Sequence, residues 1–335
     1  MNTFGKIFKI NIYGESHGQQ VGVLIDGCPA GLPLNKEDFT VDLLRRKSGA
    51  KGTTPRIEDD LPNLESGIFN GYTTGAPILI SFLNKNTKSK DYKDLVNFPR
   101  PGHADFTAKM KFGGFNDFRG GGHFSGRLTL GLVAAGVIAK KLINPVIVQA
   151  KLTEAGGSEN INEAIDQAIQ NEDSIGGIVE CTAENVWVGL GEPFFDSVEA
   201  LLSRMVFSIP AIKGIEFGSG FNAAKMKGSE HNDQLLDSSG KTETNNAGGI
   251  NGGITNGNPL VFRVAVKPTS SISKSQRTVN LDTGKQEELK VIGRHDACIA
   301  LRVPVVLEAV TAMALCDLML LEQKIPRIIS ENVTR

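Results

Sequence analysis

The chain has 335 residues, of which 40% are hydrophobic and 22% are charged, and its formal net charge is −1 at pH 7. This is ordinary globular composition, so disorder of the whole chain is excluded. A nearly neutral chain has no global field that attracts nucleic acid or an anionic membrane. The composition therefore predicts neither of these partners, and an anionic ligand must be held by a local cluster of Arg and Lys.

The cysteines indicate a reducing compartment. Cys28, Cys181, Cys298 and Cys316 have no C-x-x-C spacing, which argues against a zinc site and against a disulfide scaffold. The N-terminus has no basic region followed by an apolar stretch, and no uninterrupted apolar run reaches the roughly 18 residues of a membrane helix. We therefore expect a cytoplasmic protein without a metal site.

Strands are predicted at residues 4–12 and 20–26, on either side of the turn GESHG, and at residues 76–84. Two glycines of that turn flank Glu15, Ser16 and His17. Because glycine carries no Cβ and tolerates positive φ, the backbone there can approach a ligand closely. The side chains between the glycines are then expected to face the bound group.

Three helices are predicted further along the chain. Apolar residues at helical spacing from Leu128 to Leu142 indicate a buried helix. Asp196 and Glu199 have the spacing of a capping box, which predicts a second helix. Pro304 fits the first turn of a third helix. The polar segment 229–249 is typical of a long loop, either a lid or a linker.

A basic segment, "RRKSGAK", includes Arg45, Arg46 and Lys51. Taken alone, such a run of charge favours a solvated loop. The alternative is a clamp for a polyanion, because the Arg fork matches carboxylate and phosphate oxygens two at a time. Arg56 extends the same cluster, and Arg100 and Arg127 lie in other glycine-containing turns.

Four further segments contain residues able to do chemistry. His103 lies in "RPGHAD", and the glycine-rich "RGGGHFSGR" precedes the first predicted helix, where backbone N–H groups can bind an anion. "KPTSSIS" follows a strand-like run, and "GRHDAC" precedes the last helix. Each also has a structural interpretation: a surface histidine, a flexible loop, a capped turn and an ion pair, respectively. The histidines lack the spacing of helix-borne metal ligands, so an acid/base site around an anion fits them better.

Taken together, these segments resemble the chorismate synthase family. "GESHG", "RRKSGAKGTT", "RPGHAD", "FRGGGHFSGR", "SIPAIKGIEFGSGF", "GGINGGITNG", "KPTSSI" and "GRHDAC" occur in the family's order from residue 5 to beyond residue 310. The resemblance implies an α+β fold with helices sandwiched between two antiparallel β-sheets. It implies one catalytic domain over residues 1–335, with long loops near 45–56, 84–94 and 229–249, and a homotetramer.

The resemblance also implies a reaction. It is the 1,4-anti elimination of phosphate from 5-enolpyruvylshikimate 3-phosphate to give chorismate, in the shikimate pathway to the aromatic amino acids. The family requires reduced FMN although no net redox change occurs, because the flavin supplies electron density while the C–O bond breaks. The sequence leaves open whether NADPH reduces the flavin on this chain or an external flavin reductase does so.

Site residues follow from the resemblance position by position. The family's catalytic positions correspond to His17, His103, Asp296, Ser16 and Ser125. Its substrate-binding positions correspond to Arg45, Arg46, Lys51, Arg100 and Arg127. Its FMN-binding positions correspond to His123, Phe124, Ser125, Pro210, Ala211, Gly252, Lys267, Pro268, Thr269, Ser270, Ser271 and Arg294.

The chain departs from the family pattern in the glycine-rich loop, where His123 and Phe124 replace the usual Arg and Ser. Lys51 replaces an Arg and cannot make its bidentate fork. Two other functions are alternatives: a flavin or phospho-ligand binding protein without turnover, and a structural oligomer. The first requires the acid/base residues to be missing, and the second does not explain why they occupy family positions.

Overall fold

The computed structural model describes residues 2–55, 58–87, 96–291 and 295–329. Arg56 and Arg294 lie outside these ranges, as do residues 88–94 of the loop predicted near 84–94.

The described strands, in chain order, are β1 (Thr3–Phe4), β2 (Lys9–Gly14), β3 (Gln20–Asp26), β4 (Asn63–Leu64), β5 (Ile68–Phe69), β6 (Tyr72–Thr73), β7 (Ile78–Leu83), β8 (Ile147–Ala155), β9 (Gly177–Glu184), β10 (Ile212–Phe217), β11 (Ile250–Asn251), β12 (Ile254–Thr255), β13 (Leu260–Val266), β14 (Gln276–Val279) and β15 (Gln286–Leu289). The described α-helices are α1 (Thr40–Arg46), α2 (Asp105–Lys111), α3 (Thr129–Leu142), α4 (Ile161–Gln170), α5 (Val198–Val206), α6 (Gly228–His231) and α7 (Val303–Leu321).

Two antiparallel sheets carry most of the strand residues. The first has the order β1-β2-β3-β7-β4, and the second has the order β10-β13-β9-β8. Strand β13 alternates strictly between buried and half-buried residues, as expected for a strand with one face on the core. Helix α3 contacts β3 and β7, whereas α7 contacts β8 and β9. The predicted α+β class is confirmed.

Helices α3 and α7 pack closely against each other in the core. Gly136 of α3 makes this approach close, because a Cβ on it would lie 2.3 Å from the Cβ of Ala309 in α7. Both helices are apolar on nearly all sides, so they are buried by their neighbours rather than held by an amphipathic stripe. Pro304 occupies the first turn of α7, as predicted.

The start of α5 differs from the prediction. Its N-cap is Ser197, whose Oγ accepts a hydrogen bond from the N–H of Ala200, 3.1 Å away. Asp196 does not cap the helix, because its carboxylate accepts a hydrogen bond from Lys6 Nζ at 2.6 Å. The predicted capping box is therefore wrong, although the helix itself is present.

Helix α7 is long and apolar enough to span a membrane, contrary to the expectation that the chain has no such segment. The candidate span, residues 299–321, is 94% buried inside the protein. This burial identifies α7 as a core helix. Its acidic residues also have protein partners: Asp317 accepts the backbone N–H groups of Lys6, Ile7 and Phe8.

The segment 229–249 is held together by its own hydrogen bonds. Asp233 accepts hydrogen bonds from Thr244 Oγ1, from the N–H of Asn246 and from the N–H of Ala247, at 2.6 to 2.9 Å. These bonds lower the pKa of Asp233 in spite of the opposing effect of burial. The loop therefore has a defined conformation around one carboxylate.

Candidate active site

Segments far apart in the sequence meet at one cavity of about 1080 Å³. Its walls include residues 102–104 of "RPGHAD", residues 123–126 of the glycine-rich loop, residues 208–212 after α5, residues 267–271 after β13, and residues 295–296. Strands β1 and β2 close a further side with Phe4, Ile10 and Ile12. The cavity thus combines an apolar wall with several polar edges.

His17 lies directly beneath the glycine-rich loop. It is buried, and a Cβ on Gly120 would lie 2.6 Å from its Nε2 and 2.9 Å from Ser16 Oγ. Gly120 has a φ of 60°, which favours glycine, so both its conformation and its contact explain the residue type. The N–H of Ser16 donates to the carbonyl of Gly122 at 3.1 Å. The GESHG turn therefore packs against the loop that lines the cavity.

Ser125 joins this loop to α3. Its Oγ accepts a hydrogen bond from the N–H of Arg127 at 3.3 Å and caps the short 3₁₀ helix before α3. Ser125 also lines the cavity.

Arg46 and Arg127 form a buried cationic pair around Asp60. Arg127 Nη1 is 2.9 Å from Asp60 Oδ1, and Arg46 Nη1 is 3.5 Å from Asp60 Oδ2. Arg46 also donates to the carbonyl of Gly126 at 2.8 Å and to Thr129 Oγ1 at 3.0 Å. Asp60 therefore holds two guanidinium groups beside residues that line the cavity.

This cluster carries an excess of positive charge. Burial, and then the nearby charge of Arg302, push the pKa of Arg46 well below its usual range, with Arg127 acting in the same direction. Asp60 and Asp296 oppose the shift without cancelling it. An anion placed among these guanidinium groups relieves their repulsion, so the arrangement favours an anionic ligand.

Arg45 and Lys51 have other partners. Arg45 makes a bidentate pair with the buried carboxylate of Glu308 in α7, at 2.6 and 2.7 Å. Lys51 Nζ lies 2.5 Å from Asp166 Oδ1 of α4, and both side chains are largely exposed. Neither residue lines the cavity. Their assignment to the substrate stays a prediction, and the structure does not bring them to the other site residues.

Arg100 lies behind His103 and is also buried. It makes two hydrogen bonds with the carboxylate of Asp105, at 2.7 and 2.8 Å, and one with Ser271 Oγ at 2.9 Å. His103 Nδ1 is 2.6 Å from the same Asp105 carboxylate. Arg100 thus links two segments of the cavity wall, and its role toward substrate stays a prediction.

Asp296 and His295 line the cavity next to each other. Asp296 Oδ1 accepts the N–H of Thr54 at 2.9 Å and lies 3.5 Å from Arg302 Nη1. The basic segment and the last helix are thereby joined at this carboxylate. Burial lowers the pKa of His295, despite its hydrogen bond to the carbonyl of Val291, so its neutral form is favoured.

His123 and Phe124 occupy the positions where the family pattern has Arg and Ser. His123 Nδ1 lies 2.8 Å from the carbonyl oxygen of Gly14, and its Nε2 lies 3.1 Å from Asn2 Oδ1. Phe124 is 41% exposed, and its ring centroid is 6.3 Å from that of Phe112. Both residues line the cavity.

The segment after β13 forms another wall. Lys267 Nζ donates to the carbonyl of Gly102 at 3.0 Å and to Ser270 Oγ at 2.8 Å. Burial, and then the charge of Lys213, lower the pKa of Lys267. Pro268, Ser270 and Ser271 line the cavity, as do Pro210 and Ala211 beside them, where the carbonyl of Ala211 accepts the N–H of Lys267 at 2.9 Å.

Thr269 is different from its neighbours. Among the described residues, its Oγ1 is one of the few buried side-chain oxygens without a hydrogen-bond partner. A buried hydroxyl left unpaired costs about 1 to 3 kcal/mol, so an oxygen of this kind in a cavity wall indicates a place for a ligand.

Gly252 lies in the turn between β11 and β12, with a φ of 61°. It does not line the cavity, and a Cβ on it would have no neighbour within 4 Å. Its assignment to the cofactor therefore stays a prediction.

The structure adds residues that the sequence patterns did not single out. Asp60, Asn84 and Arg302 contact the proposed anion-binding arginines, and Asp105 contacts His103. Asp105 follows His103 by two residues in "RPGHAD", so the sequence itself suggested that the two side chains could meet. Asp60 and Asn84 are 67 and 43 residues away from Arg127, and no local pattern links them.

The cavity is lined by His103, His123, His295 and Asp296. The buried arginines do not line it, but each makes a hydrogen bond to a residue of its wall: Arg46 to Gly126, Arg100 to Ser271 and Arg127 to Ser125. Such a site defines an enzyme that handles an anion with acid/base side chains. In the described part of the chain, no group of three or more His, Cys, Asp or Glu side chains could hold a metal ion.

Comparison with known proteins specifies the class further. The family profile described as chorismate synthase matches residues 8–320. The chain is similar to the chorismate synthase of Chitinophaga pinensis, with 66% identity over 98% of this chain and 99% of the relative. It is 49% identical to that of Dehalococcoides mccartyi over 98% of this chain and 100% of the relative.

A solved structure titled "Crystal Structure of Chorismate Synthase" superposes with a TM-score of 0.73 at 26% identity, covering 95% of this chain and 93% of that one. The chain belongs to the chorismate synthase family. It is accordingly a carbon–oxygen lyase, and its reaction is the elimination of phosphate from 5-enolpyruvylshikimate 3-phosphate to give chorismate.

Proposed function

We propose that the cavity holds reduced FMN together with the substrate, and that His17, His103 and Asp296 handle protons there. The observation that carries this proposal is the meeting of the hydroxyl-rich segment 267–271, the "RPGHAD" segment and the glycine-rich loop at one cavity, with Arg46 and Arg100 hydrogen-bonded to residues of its wall. The segments that separately predicted an anion site and an acid/base site are then parts of a single site.

The residues present suit a flavin. A volume of about 1080 Å³ is at the upper end of ordinary ligand cavities, roughly 300 to 1,000 Å³, and so can admit a cofactor as well as a substrate. The unpaired Thr269 Oγ1 is available for a polar atom of the cofactor. This wall is proposed to be completed by Lys267, Pro268, Ser270 and Ser271, with Pro210 and Ala211 next to them.

Further FMN contacts are proposed for His123, Phe124 and Ser125, which line the same cavity. Gly252 and Arg294 keep their family assignment as part of this proposal. When bound, the reduced flavin supplies the transient electron density that assists cleavage of the C–O bond to phosphate.

Arg46 and Arg127 are proposed to bind the anionic groups of the substrate. The substrate carries one phosphate and two carboxylates, and guanidinium forks match such oxygens two at a time. The buried excess of positive charge around Asp60 supports this assignment. Arg45, Lys51 and Arg100 are retained as family-based candidates, with Arg100 able to act through His103.

His17 is proposed as the acid that protonates the departing phosphate. Its burial against the glycine-rich loop, beside Ser16, supports this role. His103 is proposed at the pyrimidine edge of the flavin and Asp296 near flavin N5, where a carboxylate can accept a proton. Ser16 and Ser125 are proposed to assist this proton route.

The assembly and its surroundings are also proposals. We infer a homotetramer, a layered arrangement of helices between two sheets, a cytoplasmic location, and supply of reduced flavin by an external reductase. The last point follows from the absence of any recognisable reductase motif in the sequence, and NADPH-dependent turnover without added reductase would overturn it.

The proposed cofactor site can be tested through Thr269→Val. The change removes a buried hydroxyl that has no protein partner, so we expect stability not to fall, while reduced-FMN affinity falls by about 0.5 to 1.5 kcal/mol. Thr153→Val is the matched control, because Thr153 Oγ1 donates to the carbonyl of Ile178 and does not line the cavity.

Anaerobic fluorescence titration measures both affinities. Equal FMN affinity for wild type and Thr269→Val, with FMN bound to both, would remove this hydroxyl from the proposed site. No measurable FMN binding by the wild type with substrate present would overturn the cofactor proposal itself.

A further inference from the structure

We propose that Asp105 is a positioning residue that keeps the proton of the His103 ring on Nδ1 and leaves Nε2 as the atom that exchanges protons in the cavity. This inference deepens the proposed function, since it rests on His103 acting as an acid/base group. Asp105 itself does not line the cavity and is not expected to touch the reacting groups.

The geometry around Asp105 carries the argument. His103 Nδ1 lies 2.6 Å from Asp105 Oδ1, and Arg100 Nη2 lies 2.8 Å from the same oxygen. Arg100 Nε binds the other carboxylate oxygen at 2.7 Å, and the N–H of Arg100 also donates to it at 3.1 Å. The carboxylate is therefore fixed by the Arg100 fork before it meets the imidazole.

One distance in this group requires a choice of proton position. Arg100 Nη2 is 3.0 Å from His103 Nδ1, which by itself is compatible with a hydrogen bond to an unprotonated Nδ1. That assignment would leave two lone pairs facing each other across the 2.6 Å between Nδ1 and Asp105 Oδ1. With the proton on Nδ1, both nitrogens donate to Oδ1, and their mutual 3.0 Å distance follows from sharing one acceptor.

Asp105 remains an acceptor throughout the working pH range. Burial disfavours its charged form, but the hydrogen bonds from Arg100 and His103 outweigh that effect and hold the pKa of Asp105 well below its usual range. A carboxylate that is ionised can only accept hydrogen bonds, so its partner nitrogen must carry a proton.

The other ring nitrogen points toward the glycine-rich loop. A Cβ on Gly121 would lie 3.5 Å from His103 Nε2 and 3.8 Å from the Cβ of Ser125. Gly121, with a φ of 81°, leaves this side of the ring uncovered by any side chain of its own. Fixing Nδ1–H therefore presents Nε2 toward Gly121 of this loop, as the ring nitrogen that can exchange a proton.

The first test observes the tautomer of His103 in the wild-type protein. Solid-state NMR of protein labelled with ¹³C,¹⁵N-histidine distinguishes the two neutral tautomers, and His103→Gln identifies the His103 signals by their loss. When the spectrum is that of the neutral ring, we expect the Nδ1–H tautomer in the wild type. A His103 ring with its proton on Nε2 would overturn the proposal.

The second test is Asp105→Asn. The amide or Arg100 can then donate to Nδ1, so we expect the proton to move to Nε2. Glu308→Gln is the matched control, because Glu308 is a buried carboxylate held by the bidentate fork of Arg45 without a histidine. The control should lower thermal stability and leave the His103 signals unchanged. An unchanged tautomer in Asp105→Asn, or an equal change in the control, contradicts the proposed role.

The kinetic constants distinguish a positioning role of Asp105 from a purely structural one. Asp105→Asn should lower kcat by about 10²-fold, within the range of general acid–base effects, and change KM much less. In a His103→Gln background the same change should lower kcat less than about 2-fold, because its effect passes through His103. Independent, multiplicative losses would overturn the inference.

The kinetic and NMR experiments distinguish failure of the proposed function from failure of the Asp105 inference. If wild type forms no chorismate with reduced FMN, the proposed function fails, and the NMR measurement still decides the role of Asp105. If chorismate forms but the tautomer is wrong, only the Asp105 inference fails.

Discussion

Replacing Gly120 by Ala tests whether His17 depends on the glycine-rich loop for its position. The new Cβ would lie 2.5 Å from His17 Cδ2 and 2.6 Å from its Nε2. The ordinary contact distance begins at 3.4 Å, so the ring or the loop must move by about 0.9 Å to relieve the contact with Cδ2. Gly120 also has a φ of 60°, which an L-residue adopts at a cost of about 1 to 2 kcal/mol.

The two effects have different consequences. The cost of the positive φ lowers the stability of the fold, whereas a displacement of about 1 Å at a reacting group can lower the rate by about 10²-fold. That factor corresponds to about 2.7 kcal/mol of transition-state stabilisation. We therefore expect Gly120→Ala to lose roughly 10²-fold in kcat and to unfold at lower denaturant concentration.

Gly71→Ala separates the cost of the positive φ from the displacement of His17. Gly71 has a φ of 79°, and a Cβ on it would have no neighbour within 4 Å, so only the cost of the positive φ applies. Single-turnover chorismate formation under anaerobic conditions measures the rate, and urea unfolding measures the stability of both variants. If Gly120→Ala retained wild-type turnover, or if Gly71→Ala lost as much turnover, the reasoning about His17 would be refuted.

Three other changes test separate parts of the site. Arg127→Ala should weaken substrate binding by about 1.5 to 3 kcal/mol, the value of a charged hydrogen bond, and calorimetry showing unchanged affinity would exclude Arg127 from the anion site. Asp296→Asn should keep FMN binding and slow the elimination step far more than it weakens substrate binding. A large drop in melting temperature with an unchanged elimination rate would instead indicate that Asp296 only forms an ion pair with Arg302. Because the folded-state pKa of Asp105 is depressed, its contribution to stability is present above the unfolded value of about 3.9 and is lost as pH falls below it. Asp105→Asn should therefore have a lower free energy of unfolding than wild type near neutral pH, and this free energy should change less with pH below about 4. If the free energies of unfolding of wild type and Asp105→Asn changed with pH in parallel, this expectation would be contradicted.

Local patterns were sufficient for the core helices and for the glycine turns. Helices α3 and α7 follow from apolar spacing and from Pro304, because a helix buried on all sides needs little else. The α5 cap was assigned to Asp196 instead of Ser197, since both residues are common N-caps and the pairing of Asp196 with Lys6 is not visible locally.

Arg45 and Arg46 illustrate what a run of charge cannot specify. They were grouped as one basic loop, but both lie in the last turn of α1. Adjacent residues on a helix point about 100° apart, so Arg46 faces Asp60 and Thr129 while Arg45 faces Glu308. Only the helix assignment could have separated the two residues.

Asp60 could not have been found from its neighbours in the sequence. Its partners Arg46 and Arg127 come from α1 and from the turn before α3, and they converge on it through tertiary packing. Its φ of 53° is also unusual for a residue other than glycine. Several segments that line the cavity were thus predictable, whereas Asp60 depends on contacts between residues far apart in the sequence.

The central claim is that this chain eliminates phosphate from 5-enolpyruvylshikimate 3-phosphate at the cavity that contains His103 and lies against His17. Stopped-flow absorbance of the purified chain, mixed anaerobically with substrate and photoreduced FMN, tests it most directly when wild type is compared with His17→Ala. We expect the wild type to form chorismate, and His17→Ala to do so roughly 10²- to 10⁴-fold more slowly while remaining folded. No chorismate from the wild type, or equal rates for the two proteins, would contradict the claim.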